Sequence, residues 1–318
     1  MANNRLTFKA QMAQVSVPAS SANLGSGFDA FAIALDLRDR YAAQILDEAI
    51  FDVDVTGEGA DEVKKDKNNL VIKAMMRGFE YMGQKPKGIA LRALNSTPHG
   101  KGLGSSSSAI VGGLALAREL VLGGEEYMSN DDIMLLATEL EGHPDNVAAA
   151  LRGGATIAWI DDVMGIKAGR SISIPVNPAI KAVLFVPENS LSTSKARKLL
   201  PATVPHNEAA RNAAHAALLS VALSTHPELL FTATEDFLHQ SYRRSGYPKS
   251  MELVEKLRKE GYAATISGAG PSVLVLHTGE HEAGEVIAQL GSHTGGSGTG
   301  ESSGFTALNL AISRSGVE

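Results

Sequence analysis

The stretch Pro98-His-Gly-Lys-Gly-Leu-Gly-Ser-Ser-Ser-Ser108 sets glycines at positions 100, 102 and 104 and runs them into a block of serines. Glycine at every second position opens backbone conformations closed to other residues, so several N–H groups can converge on one anion. The segment that follows, Ala109-Ile-Val-Gly-Gly-Leu-Ala-Leu-Ala-Arg-Glu-Leu120, is apolar with helical period and reads as a buried helix. Free N–H groups and the positive dipole end at its start would complete an anion site. A polyphosphate is therefore expected against Pro98, His99, Gly100, Lys101, Gly102, Leu103, Gly104, Ser105, Ser106, Ser107 and Ser108. The loop is not a Walker A sequence, because Gly-Lys comes before the turn and no Lys follows Gly104, and the strict G-x-G-x-x-G spacing fails as well. The competing reading, a flexible Gly/Ser linker, is disfavoured because a linker would not run straight into an amphipathic apolar helix.

With 318 residues the chain can form two ordinary domains, and 44% hydrophobic with 20% charged residues is usual for a soluble globular protein. A formal net charge of -6 gives no global basic field, which argues against a nucleic-acid binder and requires any attraction for a polyphosphate to be local. The absence of cysteine excludes disulfides, zinc-thiolate sites and thiol catalysis and fits a reducing compartment. No apolar run has the length of a membrane span, and Met-Ala-Asn-Asn-Arg is not a signal sequence, so the cytoplasm is the expected location and no membrane partner is expected.

Gln14–Pro18, Phe28–Leu37, Tyr41–Ile45 and Phe51–Thr56 read as strands. Between the first two, Pro18-Ala-Ser-Ser-Ala-Asn-Leu-Gly-Ser-Gly-Phe-Asp29 reads as a connecting loop of small residues with one amide and one carboxylate, although Asn, Gly and Asp are also plain turn formers. Asn69–Met82 has helical periodicity, with its methionines as core filling; Asp61–Lys67 before it is a solvated loop, and Gly88–Leu94 is a strand leading into the glycine loop. Ser129-Asn-Asp-Asp132 carries a capping pattern for a helix that ends near Glu141 and buries Ile133, Leu136, Ala137 and Leu140 on one face. Gly142 and Pro144 stop that helix within Glu141-Gly-His-Pro-Asp-Asn146. A carboxylate at a helix C-terminus is electrostatically unfavourable, which makes Glu141 a candidate metal ligand; a solvated loop is the alternative.

Gly153–Ile160 is a strand, and Asp161–Arg170 reads as the connection between halves, which divides the chain into 1–170 and 171–318. In the second half, strands at Lys181–Val186, Tyr262–Ile266, Ser272–His277 and Phe305–Ser313 alternate with helices between about 194 and 260 and again near 280 to 290, the pattern of a two-layer α+β domain. Gly291–Gly304 reads as a surface loop. Thr193 and Arg197 stand one helical turn apart, and Arg243 closes an expected helix at His239-Gln-Ser-Tyr-Arg243; each arginine alone would be read as a surface ion pair. Ser267-Gly-Ala-Gly-Pro-Ser272 is a turn between strands whose glycines would let it press against another loop.

P-x-x-x-G-L-G-S-S-S resembles the phosphate loop of the GHMP kinases, a family of small-molecule kinases. Pro18–Asp29 resembles the first motif of that family in the form found in its homoserine-phosphorylating branch, and Ser267–Ser272 resembles the third. The resemblance covers nearly the whole chain. It implies an α+β fold of two domains, the N-terminal one like domain 2 of ribosomal protein S5 and the C-terminal one ferredoxin-like, and ATP-dependent phosphorylation of the side-chain hydroxyl of L-homoserine with Mg2+. By the same resemblance Asn69 reaches the adenine and Glu141 with Ser106 holds Mg2+, with Glu139 as a rival because many members carry a longer insert after the metal ligand. His143 and Asp145 face the substrate, Asn146 with Asn23 orients its hydroxyl, Asp29 takes its ammonium, and Thr193, Arg197 and Arg243 take its carboxylate. Paired guanidinium donors suit that last task. Ser241 stands where proline is common in this branch. The branch resembles kinases that lack the catalytic Asp of the mevalonate type, so no base is assigned at Asp145-Asn146. A GHMP kinase for a mevalonate-, shikimate- or sugar-type substrate is the alternative, distinguished by whether Arg197 and Arg243 converge beside Asp29. A non-enzymatic S5-like binding protein should instead show a basic face. The expected partner is the small-molecule substrate, with a homodimer left open.

Overall fold

The computed structural model describes residues 6–163, 165–279 and 304–318. Two sheets organise it. The first contains β1 (Ala13–Asn23), β2 (Gly27–Leu46), β3 (Phe51–Gly57), β4 (Gly88–Asn95), β5 (Ala155–Val163) and β6 (Ile166–Ile174) in the order β3-β4-β2-β5-β6, with β1 also paired to β2. Only the β3–β4 pair is parallel. One face is covered by α1 (Leu70–Tyr81), α2 (Ser105–Glu119), α3 (Gly124–Tyr127), α4 (Asn130–Glu141) and α5 (Asp145–Arg152), with Val17, Tyr41, Ile72, Met75, Phe79, Leu91, Val111, Leu114 and Met134 among the buried residues between them. The methionines expected as core filling are therefore core, and α4 carries the expected reciprocal cap between Ser129 and Asp132.

Several expectations are corrected. The loop expected over Pro18–Asp29 is mostly strand: β1 runs to Asn23 and the chain reverses in a short turn where Asn23, Leu24 and Gly25 are left-handed. The two strands expected at 28–37 and 41–45 are one strand, β2, because the charges between them are satisfied in place. Arg38 donates to Ser16 and Ser313 side chains and to the Gly316 carbonyl, and buried Asp39 accepts from the Ser96 and Thr97 N–H groups and from the Ser108 and Tyr41 hydroxyls. The serines after Gly104 form the first turn of α2 and do not precede it. Asp145 opens α5 where only a loop was expected, and Leu140 is 37% exposed and lies off the buried face of α4. The expected connection at Asp161–Arg170 is the β5–β6 hairpin, which carries the first sheet past residue 170 to Ile174.

The second sheet, β10-β7-β9-β8, is antiparallel and consists of β7 (Lys181–Pro187), β8 (Ala263–Ile266), β9 (Val273–His277) and β10 (Phe305–Leu310). With it go α6 (Thr193–Lys198), α7 (His206–Ser224), α8 (Leu230–Ala233) and α9 (Pro248–Lys259). Leu184, Leu219, Leu223, Leu230 and Leu274 pack with Leu24 of the β1–β2 turn and with Ile33 and Leu35 of β2, so the halves share one apolar cluster. The chain end returns to β1 and β2, where Glu318 and Ser16 exchange both backbone hydrogen bonds and Ser313 donates to the Ala34 carbonyl. The helix expected near 280–290 and nearly all of the Gly291–Gly304 loop lie outside the described residues.

Candidate active site

Gly100, Gly102 and Gly104 all have φ between 65° and 77°, so the glycine loop is built from left-handed turns. Gly104 caps α2 without any side-chain hydrogen bond and its carbonyl takes the Ser108 N–H, which leaves the N–H groups of Ser105, Ser106 and Ser107 at the helix start to meet an anion. Gly102 is pressed against Ser267–Ser272 as expected: a Cβ there would lie 2.2 Å from the Ser267 carbonyl oxygen, and the Ser267 hydroxyl donates to the Gly102 carbonyl at 2.7 Å. Gly102→Ala combines that clash with a left-handed φ, and we expect urea unfolding to show a loss of about 2 kcal/mol or more. An unchanged midpoint would mean that the two loops can separate freely.

A cavity of about 230 Å³ opens on this loop. Asn23 and Asp29 reach it from the β1–β2 turn, Glu141, His143, Asp145 and Asn146 from the α4–α5 junction, Thr193 and Arg197 from α6, and Arg243 from a turn after α8. Every side chain expected to touch substrate or metal thus lines one cavity. A second cavity of about 280 Å³ shares Ser105 and Ser106 with the first and is lined by Lys64, Asn69, Val71, His99 and Ala109. The Asn69 amide is committed within the protein, its oxygen accepting from the Val71 N–H and its nitrogen donating to the Lys64 carbonyl. Lys101 lines neither cavity. Its ammonium donates to the Glu188 and Asn189 carbonyls, while the Leu191 N–H donates to the Gly100 carbonyl at 2.9 Å, so the glycine loop is clasped to the segment leading into α6. Ser108 also turns inward, onto Asp39 at 2.7 Å.

Glu141 accepts from Ser106 at 2.6 Å and from Ser107 at 3.1 Å, and its side chain is 9% exposed. Glu139 is paired with Arg77 at 2.9 Å on the surface, away from both cavities. Among the described residues no three carboxylate, histidine or cysteine side chains cluster as a ready metal cage. One carboxylate beside a hydroxyl and an anion site does suit Mg2+, which is usually held by one or two carboxylates together with phosphate oxygens and water. His143 sits 2.7 Å from Asp145; burial works against its charge, but that hydrogen bond and the charges of Asp145 and Glu141 outweigh it and hold its pKa above the ordinary value.

Arg197 grips Asp29 through two parallel bonds of 2.8 and 2.9 Å. Asp29 and Asn23 both have positive φ, and the Asn23 side chain holds that turn by accepting from the Asp29 N–H and donating to the Gly268 carbonyl. Arg243 is different. It is 2% exposed, pairs with no carboxylate among the described residues, and leaves Nε without a partner, its guanidinium lying over the Phe28 ring at 5.1 Å. The expected helix ending at Arg243 is a turn, folded by the Asp236 carboxylate accepting the Leu238, His239 and Gln240 N–H groups.

Sequence reasoning missed Ser20, whose hydroxyl donates to the Asn146 side-chain oxygen at 2.8 Å, and it missed Asp39, Phe28 and His239. Ser20 and Phe28 stood inside one quoted stretch and His239 opened another, with no role read for them there; Asp39 carried no local signal. His239 is fully buried, and burial, opposed by Asp236 and reinforced by Arg243, holds its pKa below the ordinary 6.5. A histidine kept neutral in the fold binds fewer protons than in the unfolded chain once pH drops below about 6.5, so its contribution is a loss of stability on acidification through that value. Wild type should therefore lose more unfolding free energy between about pH 7.5 and about pH 5.5 than His239→Asn does. Equal losses would place the acid sensitivity elsewhere.

The family comparison agrees with this layout. The GHMP kinases N terminal domain matches residues 69–154 and the GHMP kinases C terminal model matches residues 208–295. The chain belongs to the GHMP kinase family and has its fold, the first sheet and its helices being the S5-like part and the second sheet the ferredoxin-like part. Within that family it lies among proteins named homoserine kinase. The one from Streptomyces coelicolor is 44% identical over 96% of this chain and 97% of its own, and the one from Mycobacterium tuberculosis is 43% identical over 84% of each. The crystal structure of homoserine kinase from Cytophaga hutchinsonii shares the fold with a TM-score of 0.81 at 23% identity over 99% of both chains. The L. major mevalonate kinase crystal structure does so at 0.63 and 14%, over 96% of both.

Proposed function

We infer that this protein is an ATP-dependent homoserine kinase, transferring the γ-phosphoryl group to the side-chain hydroxyl of L-homoserine and yielding O-phospho-L-homoserine in threonine biosynthesis. The observation that carries the reading, beside the relatives, is charge. One cavity at the phosphate loop holds a buried guanidinium with no carboxylate partner among the described residues, Arg243, together with the carboxylate of Asp29. An α-amino acid presents the matching zwitterion, whereas mevalonate lacks the ammonium and neutral sugars lack both charges.

Phosphoryl transfer asks mainly for alignment and charge neutralisation. In this reading the loop at 98–108 cradles the triphosphate and the cavity beside Asn69 takes the adenine. Glu141 with Ser106 holds Mg2+, which when bound neutralises charge on the phosphate oxygens. Arg243 and Arg197, with Thr193, bind the carboxylate, and Asp29 the ammonium. His143 and Asp145 line the substrate side. The hydroxyl lies against Asn146, whose oxygen is engaged by Ser20 so that its NH2 faces the cavity, with Asn23 nearby. No side chain needs to act as a strong base, because a loose phosphoryl-transfer transition state builds little charge on the attacking oxygen. The first sheet, which runs to Ile174, and its helices form the nucleotide-binding domain, and the chain beyond supplies the arginines. No helix among the described residues is long and apolar enough to cross a membrane. Coupled measurement of ADP release with homoserine, mevalonate, shikimate and galactose tests the assignment: turnover is expected with homoserine alone, and a higher kcat/KM for any of the others would replace it.

A further inference from the structure

Arg243 needs something to aim it. Its one side-chain hydrogen-bond contact among the described residues is a long one, 3.5 Å from Nη1 to Nδ1 of His239, and that contact requires a lone pair on Nδ1. The other ring nitrogen settles where the proton sits: Nε2 lies 2.9 Å from the Gly25 carbonyl oxygen, an acceptor only, so Nε2 carries the hydrogen and Nδ1 is bare. Burial supports the same state, since His239 is 0% exposed and is held neutral. The imidazole also stacks on Phe28, with centroids 5.0 Å apart and planes at 24°, and Arg243 lies over that same phenyl ring. The charged groups facing His239 are Asp236 at 3.5 Å, Arg243 and, more distantly, Asp29. Gly25 belongs to the turn that presents Asn23 and Asp29. It is packed closely against the segment after α8, where a Cβ on it would lie 1.9 Å from the Thr234 carbonyl oxygen. A chain of contacts thus runs from the substrate-binding turn through a neutral imidazole to the buried guanidinium.

We propose that His239 is the positioning residue that aims Arg243 at the substrate carboxylate, and that it thereby sets the preference for an alcohol bearing a carboxylate over one without. The inference rests on the homoserine reading above. Its logic is that a site whose buried donors are held toward a carboxylate rejects an analogue that lacks one, because the donors are then left unmet. Loosening the guanidinium weakens binding of the true substrate and hardly touches the analogue.

The test compares homoserine with 3-amino-1-propanol, which is homoserine without its carboxylate, in the full-length enzyme. His239→Asn keeps an acceptor near the Nδ1 position, and His239→Gln keeps a donor near Nε2 but withdraws the acceptor from Arg243. We expect His239→Gln to lower the ratio of kcat/KM for the two substrates about tenfold, through KM for homoserine with KM for ATP unchanged. His239→Asn should keep most of the ratio. If both substrates lose the same factor, or if Asn loses the ratio and Gln keeps it, His239 supports the turn at Gly25 and the proposal is overturned. Where the Gln variant does not fold, His239→Phe, which retains the ring stack but neither nitrogen, takes its place with the same expected result. Arg243→Met is the control for the underlying reading. If it leaves the ratio intact, the carboxylate assignment itself fails; if it collapses the ratio while His239→Gln does not, only the positioning role fails.

Discussion

Arg197→Lys is expected to lower kcat/KM for homoserine roughly ten- to a hundredfold while KM for ATP stays nearly constant. The guanidinium of Arg197 can give one carboxylate two bonds at once, as it does here to Asp29 at 2.8 and 2.9 Å. An ammonium keeps the charge but cannot reproduce the fork, and charge-assisted hydrogen bonds of this kind contribute on the order of 1.5–3 kcal/mol each when their partner is desolvated. The guanidinium of Arg197 is bonded to Asp29 and makes no bond to the phosphate loop among the described residues, so nucleotide affinity should barely register the change. Kinetics with 3-amino-1-propanol separate the two carboxylates that Arg197 could serve. A loss confined to homoserine means that Arg197 binds the substrate carboxylate. An equal loss with both substrates means that it works through Asp29, by holding the residue that takes the ammonium, and the direct carboxylate role falls.

The second large effect is expected at Glu141. Glu141→Gln should depress turnover on the order of a hundredfold at limiting Mg2+, recover in part at high Mg2+, and change homoserine binding little. The substituted amide is nearly the same shape and can still accept from Ser106 and Ser107, so the fold has no reason to change; what disappears is the negative charge beside the phosphate loop. Glu139→Gln is the internal comparison, because that residue is engaged with Arg77 on the surface and should leave the Mg2+ dependence as it was. Near-normal activity and metal dependence in Glu141→Gln would remove it from the metal role.

Much of this site could be read before any coordinates because its chemistry is local. A left-handed glycine, a Ser/Asp cap and a Gly at a helix end each act within a few residues, and the turns at Gly100, Gly102 and Gly104, the start of α4 and its stop at Gly142 came out as expected. What stayed hidden depends on partners far along the chain. Asp36-Leu-Arg-Asp-Arg40 looks like a break between strands until Asp39 is seen to meet donors 57 to 69 positions later and Arg38 to meet Gly316, 278 positions later. The helix opened by Asp145 did have a local signal, an acidic residue after proline, but its side chains suggested chemistry and drew the reading toward a loop. His239 and Phe28 are ordinary residues in sequence, and they matter only because the turn at Gly25 and the turn at Arg243 meet.

The clasp between the glycine loop and the segment before α6 has a thermodynamic consequence. Gly100 and Lys101 bond to residues 188–191, which lead directly into the helix carrying Thr193 and Arg197, so a triphosphate that stiffens the loop also stiffens one rim of the amino-acid pocket. Whichever ligand arrives second then meets a partly ordered site and loses less conformational freedom. Linkage makes the relation symmetrical: the factor by which nucleotide tightens homoserine must equal the factor by which homoserine tightens nucleotide, whatever the order of addition. Calorimetric titration of each ligand with and without a non-hydrolysable form of the other should return the same factor twice, and cutting the Lys101 contact should shrink both together.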